Sequence, residues 1–273
     1  MNKLLKAGFF RLKKDFIFWL FVFFTIGIVL FTLIRHYLSK SVVDVSSDII
    51  INEFVMYIGL FIAIFVSIFV GKEHSEGIIR NKIIVGHSRV FIYLSNLIIS
   101  IIASVICELI YIILATVISI PLFGGFELNL FQFGMSMLNT LLVIVAYCSI
   151  FNFVTMICSE ITVSTTICIF LFIVMFIAQA SFALTANSNK YIEHTYYENG
   201  NKYIISQEIN PNYPGEQIVK MAKMVYLLIP QGQAMEIGSG DTEYAYQMPM
   251  YSLIVIGIFN VCGLYLFSKK ELK

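Results

Sequence analysis

The chain has 273 residues, of which 59% are hydrophobic and only 13% are charged, and its mean hydropathy is +0.85. A soluble globular domain carries roughly 25% charged residues, so this composition excludes an ordinary soluble protein. Eighteen basic against seventeen acidic residues give a formal net charge of +1, which does not indicate a nucleic acid partner. All five cysteines fall in apolar stretches, which excludes a disulfide framework and a CxxC metal site.

The first element in chain order is a short basic segment, residues 3–15. Its small and apolar residues recur at helical spacing: Leu4, Leu5, Gly8, Phe9 and Leu12. This pattern predicts an amphipathic helix that lies in the membrane interface. A plain positively charged flank would explain the charges equally well, but it would not explain the apolar stripe.

Six apolar runs follow, and a membrane-spanning helix needs about 20 apolar residues, with a usual range of about 17–25. The predicted spans are 16–34, 54–70, 90–120, 130–157, 161–184 and 251–267. We interpret the third as one long helix although Glu108 interrupts it, and Pro121 and Gly124 are expected to end it. Six such runs leave no polar faces for a soluble exterior. The first run is longer than a signal-peptide core, so we expect it to remain as an anchor.

The basic residues predict the orientation of these spans. Twelve of them lie in the N-terminal segment, the loop between spans two and three, and the C-terminal tail, against six on the opposite side. Because cytoplasmic loops are enriched in Lys and Arg, both termini are predicted to be cytoplasmic. The sequence therefore predicts one all-α transmembrane domain over 1–273, with an interfacial N-terminal helix and a large extracellular segment, 185–249.

The extracellular segment is expected to contain some regular structure. Tyrosine-rich stretches on either side of Asn199-Gly200 favour short strands or a hairpin. A helical stripe then ends at Pro230, and its members are Ile218, Met221, Ala222, Val225, Leu228 and Ile229. We expect the helix that carries this stripe to lie on the outer leaflet or to dip into it.

The loop between spans two and three reads GKEHSEGIIRNKIIVGHSR. It is short, charged and held between two spans, which suits a rigid contact with a cytoplasmic partner. The residues alone favour a simple connector whose charges set the topology. The loop nevertheless resembles that of the type-2 ABC transporter permease family, the six-span membrane subunits of exporters. The residues that carry this resemblance are Glu73 or Glu76, Gly77, Ile78, Ile79, Arg80, Gly86, Ser88 and Arg89.

The resemblance implies that this loop is a coupling helix that docks onto a separate ATPase subunit. The docking residues it implies are Glu73, Glu76, Gly77, Arg80, Asn81, Lys82, Gly86, Ser88 and Arg89. It also implies two ATPase subunits that carry ATP and Mg²⁺, a second permease subunit (identical or paralogous) and the plasma membrane of a bacterium. The six spans, the outer segment and the basic Lys269-Lys270 tail fit the same family. Peptides or amphipathic drugs would be the exported cargo.

The sequence contains no Walker A motif, so we expect ATP hydrolysis on a partner chain and no cofactor or metal on this one. Enzymatic activity is not expected either, because no Ser–His pair, Asp pair or metal cluster falls at membrane depth. Two other functions stay open: a secondary transporter or channel, and a membrane sensor or scaffold whose extracellular segment binds a ligand.

Glu108 is the only ionisable residue inside a predicted span. Placing a charge there costs at least about 2.5 kcal/mol, so such a residue is a functional candidate by default. Glu108 would either line a translocation path or pair across a dimer interface. The structural alternative is a protonated carboxyl that is hydrogen-bonded to a neighbour such as Tyr111.

Overall fold

The computed structural model describes residues 1–39, 46–125, 127–198, 201–241 and 243–270, and only the backbone of 193–198 and 201–206. The elements, in chain order, are α1 (Asn2–Lys14), α2 (Phe16–Ser39), α3 (Ser47–Asn52), α4 (Val55–Ser75), α5 (Ile78–Ile84), α6 (Arg89–Phe123), α7 (Leu130–Ile157), α8 (Ile161–Ala186), β1 (Tyr191–Glu198), β2 (Asn201–Ile209), α9 (Glu216–Leu228), α10 (Pro230–Ser239) and α11 (Met248–Lys269).

The described residues contain six helical segments that are long and apolar enough to cross a membrane, which confirms the six predicted runs as candidate spans by length and composition. Each predicted run lies inside one of these segments, and the fourth has the predicted bounds, Leu130–Ile157. The predicted end of the third run was wrong by three residues, because α6 continues through Pro121 to Phe123. Proline is tolerated in spanning helices, and Gly124, with φ +93, ends this one.

The helices α4 and α7 form the centre of the bundle. Within the apolar window of each, 67% of the residues are buried, against 17% for α8 and 22% for α11. The centre is tightly packed at Gly59 of α4, where a Cβ would lie 2.6 Å from the Tyr147 ring and 2.8 Å from that of Phe172. Small residues allow spanning helices to approach closely. The outer helices keep large apolar side chains exposed, as a lipid-facing surface requires.

The predicted N-terminal helix is present as α1, and its apolar side packs against α6. Leu4, Gly8 and Leu12 are buried. At Gly8 a Cβ would lie 1.9 Å from Cδ1 of Ile99, so a larger residue there would require the Ile99 side chain to move. The buried face of α1 therefore packs against the rest of the protein, and the opposite face is exposed.

The segment after α8 contains a hairpin and two helices. β1 and β2 pair antiparallel with Tyr191 opposite Ile209, which confirms the predicted strands. The chain is therefore mostly helical and not all-α as predicted. The predicted turn, Asn199-Gly200, lies outside the described residues. Within the predicted stripe of α9, Ala222 is buried, whereas Ile218 is 52% exposed and Met221 is 66% exposed.

The short helix α10 is inserted among the spanning helices and is held there by two buried amides. The Tyr147 hydroxyl donates to Oε1 of Gln231 at 2.6 Å, and Nε2 of Gln231 donates to the carbonyl of Met56 at 3.2 Å. The Ser252 hydroxyl donates to Oε1 of Gln233 at 2.6 Å. Buried polar groups require such partners, so these bonds tie α10 to α4, α7 and α11.

Candidate functional site

The predicted coupling loop is a short helix, α5, that lies between two glycines. Gly77 precedes the helix with φ +67, and Gly86 follows it with φ +96. Glycine adopts positive φ without the steric penalty of other residues. Ser88 then caps α6, since its hydroxyl accepts a hydrogen bond from the backbone N–H of Phe91 at 3.4 Å. The two glycines set the directions in which the chain enters and leaves α5.

Glu73 is the residue that anchors this loop to the bundle. Its side chain lies at the end of α4 and the residue is 2% exposed. Oε1 accepts from Nη1 of Arg11 in α1 and from Nζ of Lys82 in α5, each at 2.5 Å. Oε2 accepts from Nδ2 of Asn96 in α6 at 2.8 Å. One carboxylate therefore joins the four helices α1, α4, α5 and α6. The side chains of Arg11, Glu73, Lys82 and Asn96 are called the Glu73 cluster below.

The Glu73 carboxylate is paired with two cations, and one of them also contacts an aromatic ring. The guanidinium carbon of Arg11 lies 3.8 Å from the centroid of the Phe69 ring, a cation–π contact, and Nη2 of Arg11 donates to the Phe69 carbonyl at 3.2 Å. Burial lowers the pKa of Lys82, and the neighbouring Glu73 carboxylate opposes that shift. A buried carboxylate is tolerated only when it is paired and hydrogen-bonded, as this one is. The cluster thus fixes α5 against the bundle.

The outward face of the loop carries both polar and apolar side chains. Glu76, Arg80 and Asn81 are exposed. Beside them, Ile84 is 72% exposed and Val85 is 77% exposed, in a polar part of the chain. An exposed apolar pair that is rimmed by polar side chains is a candidate contact surface. We call these five residues the α5 surface.

Arg89, also a predicted docking residue, forms hydrogen bonds within the chain. Its guanidinium donates to the carbonyls of Phe267 at 3.1 Å and Ser268 at 3.0 Å, and also to that of Lys270. These carbonyls end α11, where a cation stabilises the helix terminus. Nζ of Lys270 in turn donates to the Cys158 carbonyl at 3.0 Å, which joins α11 to the end of α7.

The structure therefore gathers the nine predicted docking residues around α5 but turns them in different directions. Glu73, Lys82 and Arg89 bind other parts of the chain. The exposed members are Glu76, Arg80, Asn81, Gly86 and Ser88, and Gly77 is half-buried. Sequence reasoning missed Arg11 and Asn96 as members of the cluster. A signal for Asn96 was available, since a polar residue within a spanning run usually has a specific partner.

Glu108 lies in α6, well away from the α5 surface, and faces the interior of the bundle. It is 5% exposed, and neither carboxylate oxygen has a hydrogen-bond partner among the described residues. Tyr111, the neighbour considered above, instead donates to the Ile50 carbonyl at 2.9 Å and lies 3.1 Å from Oγ1 of Thr32. The single chain already buries Glu108, so its side chain does not lie on a surface that a second subunit would cover.

Within the described ranges, no group of three or more His, Cys, Asp or Glu side chains is placed to hold a metal ion. No protein-family model matches the chain, and a search of curated proteins finds no significant relative.

Proposed function

We propose that this chain is the membrane-spanning permease subunit of an ATP-driven exporter of the type-2 ABC class. The observation that carries the proposal is the α5 surface, in which Ile84 and Val85 are exposed at the end of a helix that Lys82 joins to the Glu73 cluster. A separate ATPase subunit would cover these apolar side chains. The resemblance of residues 73–89 to the coupling loop of that family supports the same assignment.

In this proposal two permease subunits, identical or paralogous, form the path and two ATPase subunits bind ATP and Mg²⁺. Closure of the ATPases on ATP would push on α5. Because Glu73 joins α5 to α1, α4 and α6, the displacement would reach the spanning helices as a rigid-body movement. The excess of basic residues on the α5 side supports a cytoplasmic location for both termini, in a bacterial plasma membrane. Peptides or amphipathic drugs are the proposed cargo.

The test is purification of the tagged chain from membranes of its host. We expect a Walker A-containing ATPase to co-purify and to hydrolyse ATP in the complex. Ile84→Glu combined with Val85→Glu should abolish both the co-purification and the hydrolysis. The matched control is Ile209→Glu combined with Ile218→Glu, which changes two exposed apolar side chains in β2 and α9. Equal ATPase recovery in both variants would contradict the assignment.

Glu108 favours a second candidate, a secondary transporter or channel. Buried carboxyls within spans are typical of ion pathways, and this one has no partner among the described residues. Substrate uptake driven by an ion gradient in vesicles that lack any ATPase would support this candidate over the exporter. The third candidate, a membrane sensor or scaffold, would show neither transport nor an associated ATPase.

A further inference from the structure

We propose that the outward face of α1 binds the phosphate headgroups of anionic membrane lipids. This face is the side of α1 opposite Leu4, Gly8 and Leu12. Its basic members, which are all exposed, are Lys3, Lys6, Lys13 and Lys14. The inference concerns α1 alone and does not depend on whether an ATPase binds α5.

No acidic side chain of the described residues is paired with these four lysines, whereas other basic residues nearby have acidic partners. Arg11 and Lys82 are paired with Glu73. Asp15, at the end of α1, is paired with Lys72 at 3.2 Å. Among the described residues, no ion pair joins any of the four α1 lysines to a carboxylate. Their charge is therefore available to an anion from outside the chain.

Aromatic side chains beside the lysines indicate that this anion belongs to a membrane. Phe10 is 63% exposed, Phe16 is 72% exposed and Trp19 is 56% exposed. Nζ of Lys14 lies 4.3 Å from the centroid of the Phe10 ring. The indole N–H of Trp19, in the first spanning helix, donates to the carbonyl of Lys13 at 2.9 Å. Tryptophan is enriched at the membrane–water interface, and exposed Phe and Trp rings mark the membrane-facing side of interfacial helices, so the lysines beside them lie at headgroup depth.

The basic residues of α1 have two separate roles. Arg11 points inward to Glu73 and Phe69 and has a structural role. The four lysines point outward, and a lysine near an anionic membrane surface contributes about 1 kcal/mol to binding, which is about a fivefold change in affinity. Removing two lysines should therefore weaken lipid binding by about 25-fold without unfolding the protein.

The experiment uses the purified full chain in detergent and two lipid probes, dioleoylphosphatidylglycerol and dioleoylphosphatidylcholine. Native mass spectrometry measures the Kd for each lipid. We expect tighter binding of the phosphatidylglycerol, and a Kd about 25-fold higher in Lys3→Gln/Lys6→Gln and in Lys13→Gln/Lys14→Gln. The matched control, Lys190→Gln/Lys220→Gln, removes two exposed lysines outside α1 and should bind as wild type does. An excess of inorganic phosphate should not displace the lipid.

Four results would overturn the inference. Equal affinity for the two lipids would show that the charge of the headgroup is not recognised. Equal losses in the α1 variants and in the control would show a general charge effect, and displacement by inorganic phosphate would show a site for free anions. If the α1 variants kept their lipid preference but lost a co-purifying ATPase, this face would bind protein and not lipid.

Discussion

Arg11 and Glu73 are 62 residues apart in the sequence, yet their side chains meet at 2.5 Å beneath the loop that we assign to coupling. The same oxygen of Glu73 also accepts from Lys82, so a residue of α1 and a residue of α5 share one acceptor atom. Movement of α5 cannot leave α1 unaffected while both bonds are intact. The N-terminal helix is thus part of the coupling apparatus in the proposed mechanism, in addition to its proposed contact with lipid.

The first prediction concerns this pair. Glu73→Gln should lower the free energy of unfolding by about 3 kcal/mol, because it leaves two partly buried cations without a counter-charge. Arg11→Gln should destabilise less, because Lys82 and Asn96 still bind Glu73. The double variant should show a coupling energy of about 1–3 kcal/mol in a thermal-unfolding cycle. Strictly additive effects would mean that the two residues do not interact. Arg80→Gln, on the exposed face of α5, serves as the control.

The spans were predictable from the sequence because the signal for them is local. A run of about 20 apolar residues identifies a spanning helix without knowledge of its neighbours, and all six runs were found. The strands around residues 199–200 were predictable for the same reason, since a tyrosine-rich stretch and a turn dipeptide are local features.

The Glu73 cluster was not predictable, because it depends on which helices are neighbours. Arg11, Glu73 and Asn96 come from three helices whose order in the bundle is not encoded in any short pattern. The burial of α10 was missed for a similar reason. Its composition is polar enough for an external helix, and only the partners of Gln231 and Gln233 make its insertion favourable.

The second prediction concerns Gly77. Its φ is +67 and no atom lies within 4 Å of a Cβ built there, so Gly77→Ala should cost about 1–2 kcal/mol through the backbone alone. If the ATPase approaches this glycine closely, the same variant should also lose ATPase binding. Gly124 has φ +93 and the same open space around a built Cβ, so Gly124→Ala is the matched control and should retain ATPase binding. Co-purification at equal membrane abundance measures the difference, and equal recovery would remove Gly77 from the docking surface.

The third prediction concerns topology. In a Cys158→Ser/Cys262→Ser background, the remaining cysteines are buried. A cysteine in place of exposed Asn189 should react with an impermeant thiol reagent in intact cells, whereas one in place of exposed Ser75 should react only after permeabilisation. The opposite pattern would place the termini outside and would contradict the proposed orientation.

The fourth prediction concerns Glu108. Because both of its carboxylate oxygens lack partners among the described residues, Glu108→Met should raise the free energy of unfolding by about 1–3 kcal/mol. Glu108→Gln, which keeps a buried polar group, should change stability little. If Glu108 serves transport, both Glu108→Met and Glu108→Gln should lower the transport rate, although Glu108→Met is the more stable protein. Wild-type transport in both variants would remove Glu108 from the functional residues and leave it as an unsatisfied structural group.

The fifth prediction concerns the pH dependence of stability at α10. Burial raises the pKa of Glu236 above its usual value of 4.5; Asp241 and Glu243 raise it further, while Tyr226 and Lys223 lower it. A carboxyl with a raised pKa binds more protons in the folded than in the unfolded state, so its contribution to stability is fully present below pH 4.5. That contribution is lost as the pH rises through the folded-state value.

The unfolding temperature of the wild type should therefore fall more steeply than that of Glu236→Gln as the pH is raised from about 4.5. The amide of the variant does not titrate, so the difference between the two curves isolates this one group. Asp241→Asn, at an exposed neighbour that only contributes charge, should reduce the slope by a smaller amount. Parallel curves for wild type and Glu236→Gln would show that Glu236 titrates alike in the folded and unfolded chains. In that case its burial within α10 would not impede ionisation.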